Sequence, residues 1–523
     1  MNPPWNSSTA SGSPFLLFRR NANSSMTEAN DLMANTYSPA DMAYVLLCCV
    51  VVFLVTPGIA LFYAGMTRKR SALSILTQSF LVTAVILVQW YLFGYSLAVA
   101  PGSSFYGSLS LGGLHNVWFD PYIPGSTIPA IVYFPFGGLF AVTTAQLLIG
   151  AMAERGRLVP SLVIAFLYIT FVYCPQAYWT WSSKGWLFTM GALDFAGGGP
   201  VHISSGFAAL AYSFVLGRRH EPSFSEDSTN SIDGEFSSQH VVQEDPSSQS
   251  WISSTIVPWG SVRWKDSLGR GHIPNFPAHN PTMAYIGVVF IWCSWLTFNS
   301  GTLLAINLRT AYIFANTLIS SSFACVTWTV VDYIRYRKIS VLGVSEGAIA
   351  GLVGITPGCG HVYPWGAAVA GIFTAIVCNL LHDIGNWLGI DETLRVFNLH
   401  GIGGIMGSIV LGVVAHPNVA ASDGATVIKG GWIVHHWKQM GYQFASFTSV
   451  AVWSFVVTAV ICLLVDMIPG LQIRCTPQEE EQGMDFVDLV EQIDEKAGPS
   501  TIRVIQAQEV QESMDTSVTS KKQ

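Results

Sequence analysis

Long apolar runs separated by short polar loops dominate the chain. Runs long enough to span a bilayer lie at roughly 42–65, 73–99, 127–151, 160–178, 200–217, 282–304, 309–333, 343–357, 363–382, 398–415 and 446–468, each close to the length a helix needs to cross a hydrocarbon core. They predict an all-α polytopic membrane protein of eleven transmembrane helices. The eighth and ninth runs are the least distinct, being separated only by Thr356-Pro-Gly-Cys-Gly-His-Val-Tyr-Pro364. Three stretches break the pattern. The first 40 residues are Ser/Asn-rich, Ser, Asp, Glu, Gln and Asn dominate Glu221–Ser253 within the loop over 218–280, and the chain after Leu471 turns acidic and then Ser/Thr/Gln-rich. Such compositions bury too little apolar surface to fold alone. The expected layout is an extracellular N-terminal segment over 1–40, a transmembrane domain over 41–470 with a partly disordered cytoplasmic loop at 218–280, and a mostly disordered tail over 471–523. Within the tail only Phe486-Val-Asp-Leu-Val-Glu-Gln-Ile has helical spacing.

Loop charge sets an expected orientation. Arg68-Lys69-Arg70, Arg155 with Arg157, Arg218-Arg219, and Arg335, Arg337 and Lys338 fall on every second loop. The intervening loops hold isolated positives such as Lys184, Arg309, Lys429 and Lys438. The positive-inside rule then places the N-terminus outside and the C-terminus in the cytoplasm. The N-terminal segment lacks the order of a cleaved signal peptide. Its two sequons, at Asn6 and Asn23, are glycosylation candidates that agree with an external N-terminus.

An odd number of spans allows two halves of opposite topology, spans one to five and six to ten, with the eleventh outside the repeat. His202 opens the fifth span and His400 opens the tenth. Each heads a stripe of small residues at helical spacing: His202, Gly206 and Ala209, and His400, Gly404 and Gly407. An ionisable side chain inside a membrane span is a functional hypothesis by default, since Arg, Lys or Asp at mid-helix costs roughly 2.5–3.5 kcal/mol on insertion scales. Equivalent polar residues of inverted halves meet near the midplane, where transporters put their pathways. The alternative is two helix-packing histidines satisfied by backbone carbonyls. Asp194, eight residues before His202 and followed by Gly197-Gly-Gly-Pro200, is placed to accept backbone N–H bonds and hold an unwound lead-in; direct cation binding is the other reading.

Phe136 and Phe140 share a face of the third span, and Trp295, Phe298 and Thr302 share a face of the sixth. Trp179 and Trp181 lie where the fourth span reaches the outside. An interfacial aromatic belt explains tryptophans there. A cation–π vestibule, contributing about 0.5–2 kcal/mol, is the sharper reading. A tryptophan face, a phenyl ring and a hydroxyl suit a small cation that donates hydrogen bonds.

Composition narrows the classes. Of 523 residues, 50% are hydrophobic and only 11% charged, against about 25% charged in soluble domains. The net charge of −7 is concentrated in one loop and the tail, without a basic stripe for nucleic acid. Nine cysteines with no CxxC pair argue against a disulfide framework or a metal site. No nucleophile–base pair or nucleotide loop points to an enzyme, and no cofactor is implied.

Several stretches together resemble the ammonium transporter family, in the Amt/Mep branch of fungal-type ammonium permeases, from about Asp41 to Asp485. They are Pro57-Gly-Ile-Ala-Leu-Phe-Tyr-Ala-Gly-Met66, Ala151-Met-Ala-Glu-Arg155, Gly191–Gly206, Trp295–Gly301, Gly347-Ala-Ile-Ala-Gly-Leu-Val-Gly-Ile-Thr-Pro357 and Val396–Gly407. The resemblance implies a plasma-membrane homotrimer with a separate pore in each eleven-helix subunit. It makes Trp181 the recruiting aromatic, with Phe140 and Thr302 beside the substrate, Phe140 and Phe298 the phenyl gate, and His202 and His400 the twin histidines. Asp194 matches the family's structural aspartate, Phe136 and Trp295 support the pore, and Thr302 stands where many members have serine.

Three departures stand out. Arg395 replaces a usual aspartate five residues before His400, Glu346 replaces a small polar residue, and the loop before Pro281 is longer than usual. Glu346 and Arg395 are expected to compensate one another as an ion pair near the cytoplasmic mouth. The tail from Gly470 and Arg474 through Asp485 resembles the family's segment that docks beneath the pores, a place for cytoplasmic regulators and for phosphorylation of the following Ser/Thr residues. The expected activity is electrogenic uptake of ammonium, with methylammonium as an analogue. The cation is deprotonated near the gate, and ammonia and the proton pass the histidines. An ammonium sensor of the same fold, with transport secondary, is the alternative.

Overall fold

The computed structural model describes residues 36–117, 120–219 and 277–490, and the backbone of 491–493 and 502–504. Asn6 and Asn23, most of the 218–280 loop and most of the distal tail lie outside the described residues. The protein is an all-α polytopic membrane protein of eleven spans: α1 Pro39–Met66, α2 Lys69–Val99, α3 Ala130–Met152, α4 Leu158–Met190, α5 Gly198–Leu216, α6 Pro281–Gly301, α7 Leu308–Tyr336, α8 Val341–Ile355, α9 Pro364–Leu380, α10 Phe397–Val414 and α11 Lys438–Asp466. Nine are long and apolar enough to cross a membrane unaided; α8 and α9 are shorter, at 15 and 17 residues.

Local chemistry fixes the helix ends. Ser38 caps α1 ahead of Pro39, the Asn280 side chain accepts the Met283 N–H of α6 at 3.0 Å, and Asn307 opens α7 with a capping box. α4 is interrupted at 182–185 before its last turn. α11 begins eight residues before the apolar run that marks it in the sequence. Its first turns carry Gln439 and Gln443, whose side chains bind the Gly191 and Leu193 backbone. Those polar residues lower the local hydropathy while anchoring the lead-in to α5.

The halves meet through glycine. A Cβ on Gly65 of α1 would stand 2.5 Å from the Ala284 nitrogen of α6, and one on Gly206 of α5 would overlap the Gly401 backbone of α10. First with sixth and fifth with tenth are the pairings an inverted repeat relates. Backbone contact this close requires small residues.

The tail folds back under the end that bears the arginine-rich loops. After α11, two short helices follow, α12 Pro477–Gln482 and α13 Met484–Asp488. Arg157 makes a two-pronged pair with Glu479 at 2.7 and 3.0 Å, and Asp485 accepts the Leu73 and Ser74 N–H groups. The Arg474 guanidinium donates to the carbonyls of Leu216 and Arg218. The helical spacing over 486–493 is realised only as far as Asp488. There β1 (Glu491–Ile493) pairs antiparallel with β2 (Ile502–Val504).

Candidate functional site

The core of the molecule is set by how the chain enters α5 and α10. Both helices open with a π turn, Gly198–Ile203 and Phe397–Ile402, and each turn carries its histidine. The small-residue stripes drawn on a regular 3.6-residue helix therefore begin only beyond the histidines, because a π turn widens the spacing to i→i+5. Ahead of α5, Asp194 accepts three backbone N–H groups, from Gly197 at 2.9 Å, Gly198 at 2.8 Å and Gly199 at 2.6 Å. Gly197 takes φ +104° to make this turn.

The second half repeats the device with different residues. Glu392 stands eight residues before His400, as Asp194 does before His202, and its carboxylate accepts the Phe397 N–H at 2.8 Å. Arg395 stands five residues before His400, as Gly197 does before His202, and it too is left-handed, at φ +53°. That conformation costs a non-glycine residue about 1–2 kcal/mol. The left-handed turn thus belongs to the lead-in geometry of both halves.

The two histidines are buried and touch, Nδ1 to Nδ1 at 3.3 Å with ring centroids 5.4 Å apart. Such a contact needs a proton on one nitrogen and a lone pair on the other, so the rings hold complementary tautomers. The His202 Nε2 has no protein partner among the described residues. His202 stacks on Trp295 at 5.1 Å, and the Trp295 Nε1–H donates to Thr356 Oγ1 at 3.0 Å, which fixes the indole.

From the histidines an aromatic column continues through Trp295. Phe140 and Phe298 stack face to face, 3.8 Å between centroids and 14° between planes. Phe136 packs on Phe140 at 5.1 Å, Trp295 on Phe298 at 5.5 Å, and Trp181 meets Phe140 edge-on at 6.1 Å. The Trp181 Nε1–H donates to the Asp194 carbonyl at 3.2 Å, tying the column to the α5 lead-in. Thr302 lies at the end of α6, its hydroxyl donating to the Phe298 carbonyl at 2.8 Å and keeping its lone pairs able to accept. Trp179 is not part of this column. It is buried beneath Phe105, whose carbonyl it binds at 2.6 Å, and beside Trp453.

At the arginine-rich end Glu346 stands 3.8 Å from Arg395, but its nearer partner is His382, Nε2 to Oε2 at 2.9 Å. Burial works against charge on His382, yet the Glu346 carboxylate and Asp383 prevail and raise it to about 9, so it is a cation at neutral pH. Around this cluster Arg219 bridges Asp391 and Glu154 at 2.8 Å each, and Arg155 donates to the Gly217 and Asp391 carbonyls. His382 and Glu392 escape a reading of sequence alone. For Glu392 the signal was present, an acid at the same offset from each histidine; for His382, at the frayed end of α9, there was none.

The model of the Ammonium Transporter Family matches residues 43–235 and 262–493. The chain belongs to that family. Ammonium transporter 3 of Schizosaccharomyces pombe is 67% identical over 504 residues, 95% of this chain and 96% of that protein. Ammonium transporter MEP2 of Saccharomyces cerevisiae is 36% identical over 458 residues, covering 86% and 83%. The crystal structure of Candida albicans Mep2 superposes with a TM-score of 0.73 at 36% identity, over 91% of this chain and 96% of that one. The family is one of multi-pass membrane transporters and not of enzymes.

Proposed function

We propose that the chain takes up ammonium across the plasma membrane, through a pore in each subunit of a homotrimer, with its N-terminus outside and its tail in the cytoplasm. The observation that carries this reading is the stacked Phe140–Phe298 pair joined through Trp295 to the coupled His202–His400 pair. A cation forced between two phenyl faces and into a buried channel loses its water, and an apolar channel makes a bare charge costly. Neutral ammonia avoids that cost. Potassium matches ammonium in charge but has no proton to release.

Trp181, Phe140 and the lone pairs of Thr302 recruit the hydrated cation by cation–π attraction and hydrogen bonding. Ammonium gives up one proton near the phenyl pair, and ammonia passes along the histidine rings. The released proton crosses separately. One imidazole accepts it at a free nitrogen while the Nδ1–Nδ1 contact hands a proton to the other ring, so that one positive charge crosses per ammonia. Asp194 and Trp295 hold the rings in register. Methylammonium fits the same chemistry.

The test is current and pH change in reconstituted protein on adding ammonium, beside His202→Ala and His400→Ala. Ammonium-dependent current that potassium does not elicit, and that either substitution changes, is the expected result. Intact ammonium binding without current in the wild type would replace transport by the sensor reading.

A further inference from the structure

α6 leaves its last turn in a conformation the chain does not favour. From Thr302 to Asn307 the backbone connects α6 to α7, and Leu304 within it is left-handed at φ +58°. A leucine gains nothing locally from that conformation, and it persists only where the surroundings over-determine it. Part of the restraint is local. The Leu304 N–H donates to the Gly301 carbonyl at 2.9 Å, and from α7 the Thr310 hydroxyl donates to the Ala305 carbonyl at 2.8 Å.

A further grip comes from α1, one face of which carries Asp41, Tyr44 and Cys48 at i, i+3 and i+7. All three meet the exit of α6. Asp41 accepts the Ile306 N–H at 2.9 Å, and the Tyr44 hydroxyl donates to Ser300 Oγ at 2.8 Å. A Cβ on Gly301 would stand 3.0 Å from the Cys48 Cβ and 2.8 Å from the Phe136 ring. The other Asp41 oxygen accepts the Thr127 hydroxyl at 2.5 Å, and the Ser38 N–H donates to the Thr127 carbonyl at 2.9 Å. One carboxylate, 7% exposed, thus joins the start of α1, the approach to α3 and the α6–α7 turn. It makes no ion pair among the described residues. Burying a carboxylate without a counter-ion is costly, so what it holds matters. The turn it holds carries the Thr302 hydroxyl and lies against Phe136, the ring that packs on Phe140.

We infer that Asp41 is a positioning residue for cation recruitment: by holding the Ile306 N–H it keeps the strained turn closed and the Thr302 hydroxyl in place one turn from Phe298. The inference rests on the transport reading and adds to it a residue that acts through the turn rather than on the cation.

Full-length protein in liposomes sorted by sidedness tests this, with ammonium added at the recruiting face of the wild type, Asp41→Ala and Asp41→Asn. Asn keeps an oxygen for the Ile306 N–H, and the Thr127 hydroxyl can turn to accept from its amide. Asp41→Ala should raise the half-saturating ammonium concentration at least about threefold, with maximal current per protein unchanged. Asp41→Asn should restore half-saturation close to the wild-type value. Hydrogen exchange over 302–306 should quicken in Asp41→Ala and stay slow in Asp41→Asn. A lower maximal current at unchanged half-saturation in Asp41→Ala would show a merely structural role and end the inference. So would Asp41→Asn as impaired as Asp41→Ala, since charge rather than the grip on the turn would then decide recruitment. Exchange over 302–306 unaltered in Asp41→Ala would end it too. A wild type without ammonium current would end the transport reading, and this role with it, whatever the exchange shows.

Discussion

The lead-ins to α5 and α10 are the same structure written twice in different chemistry. Each has an acid eight residues before its histidine, a left-handed residue five before it, and a π turn around it. In the first half the acid is Asp194, holding three N–H groups, and the left-handed residue is glycine. In the second half the acid is Glu392, holding the Phe397 N–H, and the left-handed residue is Arg395, set among Glu346, His382 and Asp383. The first lead-in is thus held by backbone bonds within a few residues. Side-chain charges drawn from α8 and the α9–α10 connection surround the second. Symmetry governs where the chain bends; it does not govern what neutralises the bend.

The comparison predicts unequal damage. Asp194→Ala strands three buried N–H groups and should cost about 3–5 kcal/mol, enough to abolish ammonium current and lower the melting temperature in detergent. Glu392→Ala removes the acceptor of only two, Phe397 and Val396, and should cost less, about 1–3 kcal/mol, with current retained. Equal losses would mean the two lead-ins are held alike. Next in size is the Glu346 cluster. Glu346→Ser and Arg395→Asp should each impair transport more than the double change does, with a coupling of about 1 kcal/mol in a double-mutant cycle. Additive effects would show that His382 alone balances Glu346.

The smallest effect concerns the docked tail, again at the charged end. Burial raises the carboxyls of Asp485 and Asp488 to about 6, against backbone N–H bonds that pull them down. A folded pKa raised above the unfolded one means that docking takes up protons, so docking strengthens as pH falls from about 7 towards 4 and weakens above. Between pH 7 and pH 6 the two groups together should favour the docked tail by about threefold. Hydrogen exchange over 477–488 would register this as added protection at pH 6, and protection that falls on acidification would refute it.

Much of this was legible from the pattern of residues. Apolar length located all eleven spans, including α8 and α9, because a membrane helix must satisfy its backbone internally and announces itself by composition. Small-residue spacing pointed to the crossing at Gly206, and aromatic spacing on α3 and α6 marked the rings that stack. The early start of α11 was hidden, since Gln439 and Gln443 earn their place by binding a distant loop. The π turns were hidden because nothing in Gly198–Ile203 or Phe397–Ile402 distinguishes i→i+5 from i→i+4 bonding locally. Trp179 and Trp181 look alike in the chain, two residues apart, yet one is wedged under Phe105 and the other meets Phe140.

The short spans α8 and α9 carry a consequence for voltage. Fifteen and seventeen helical residues reach only about 22–26 Å, less than the roughly 30 Å of a hydrocarbon core. The link between them, with Thr356, Cys359 and His361, is buried in the protein. These two spans therefore reach across the hydrocarbon layer only together with the protein packed around their link. A membrane potential drops across the insulating layer, at about 2.3 kcal/mol per charge per 100 mV over the whole. On the proposed transport reading, a proton handed between His202 and His400 crosses part of that drop, so an inside-negative resting potential favours its inward passage.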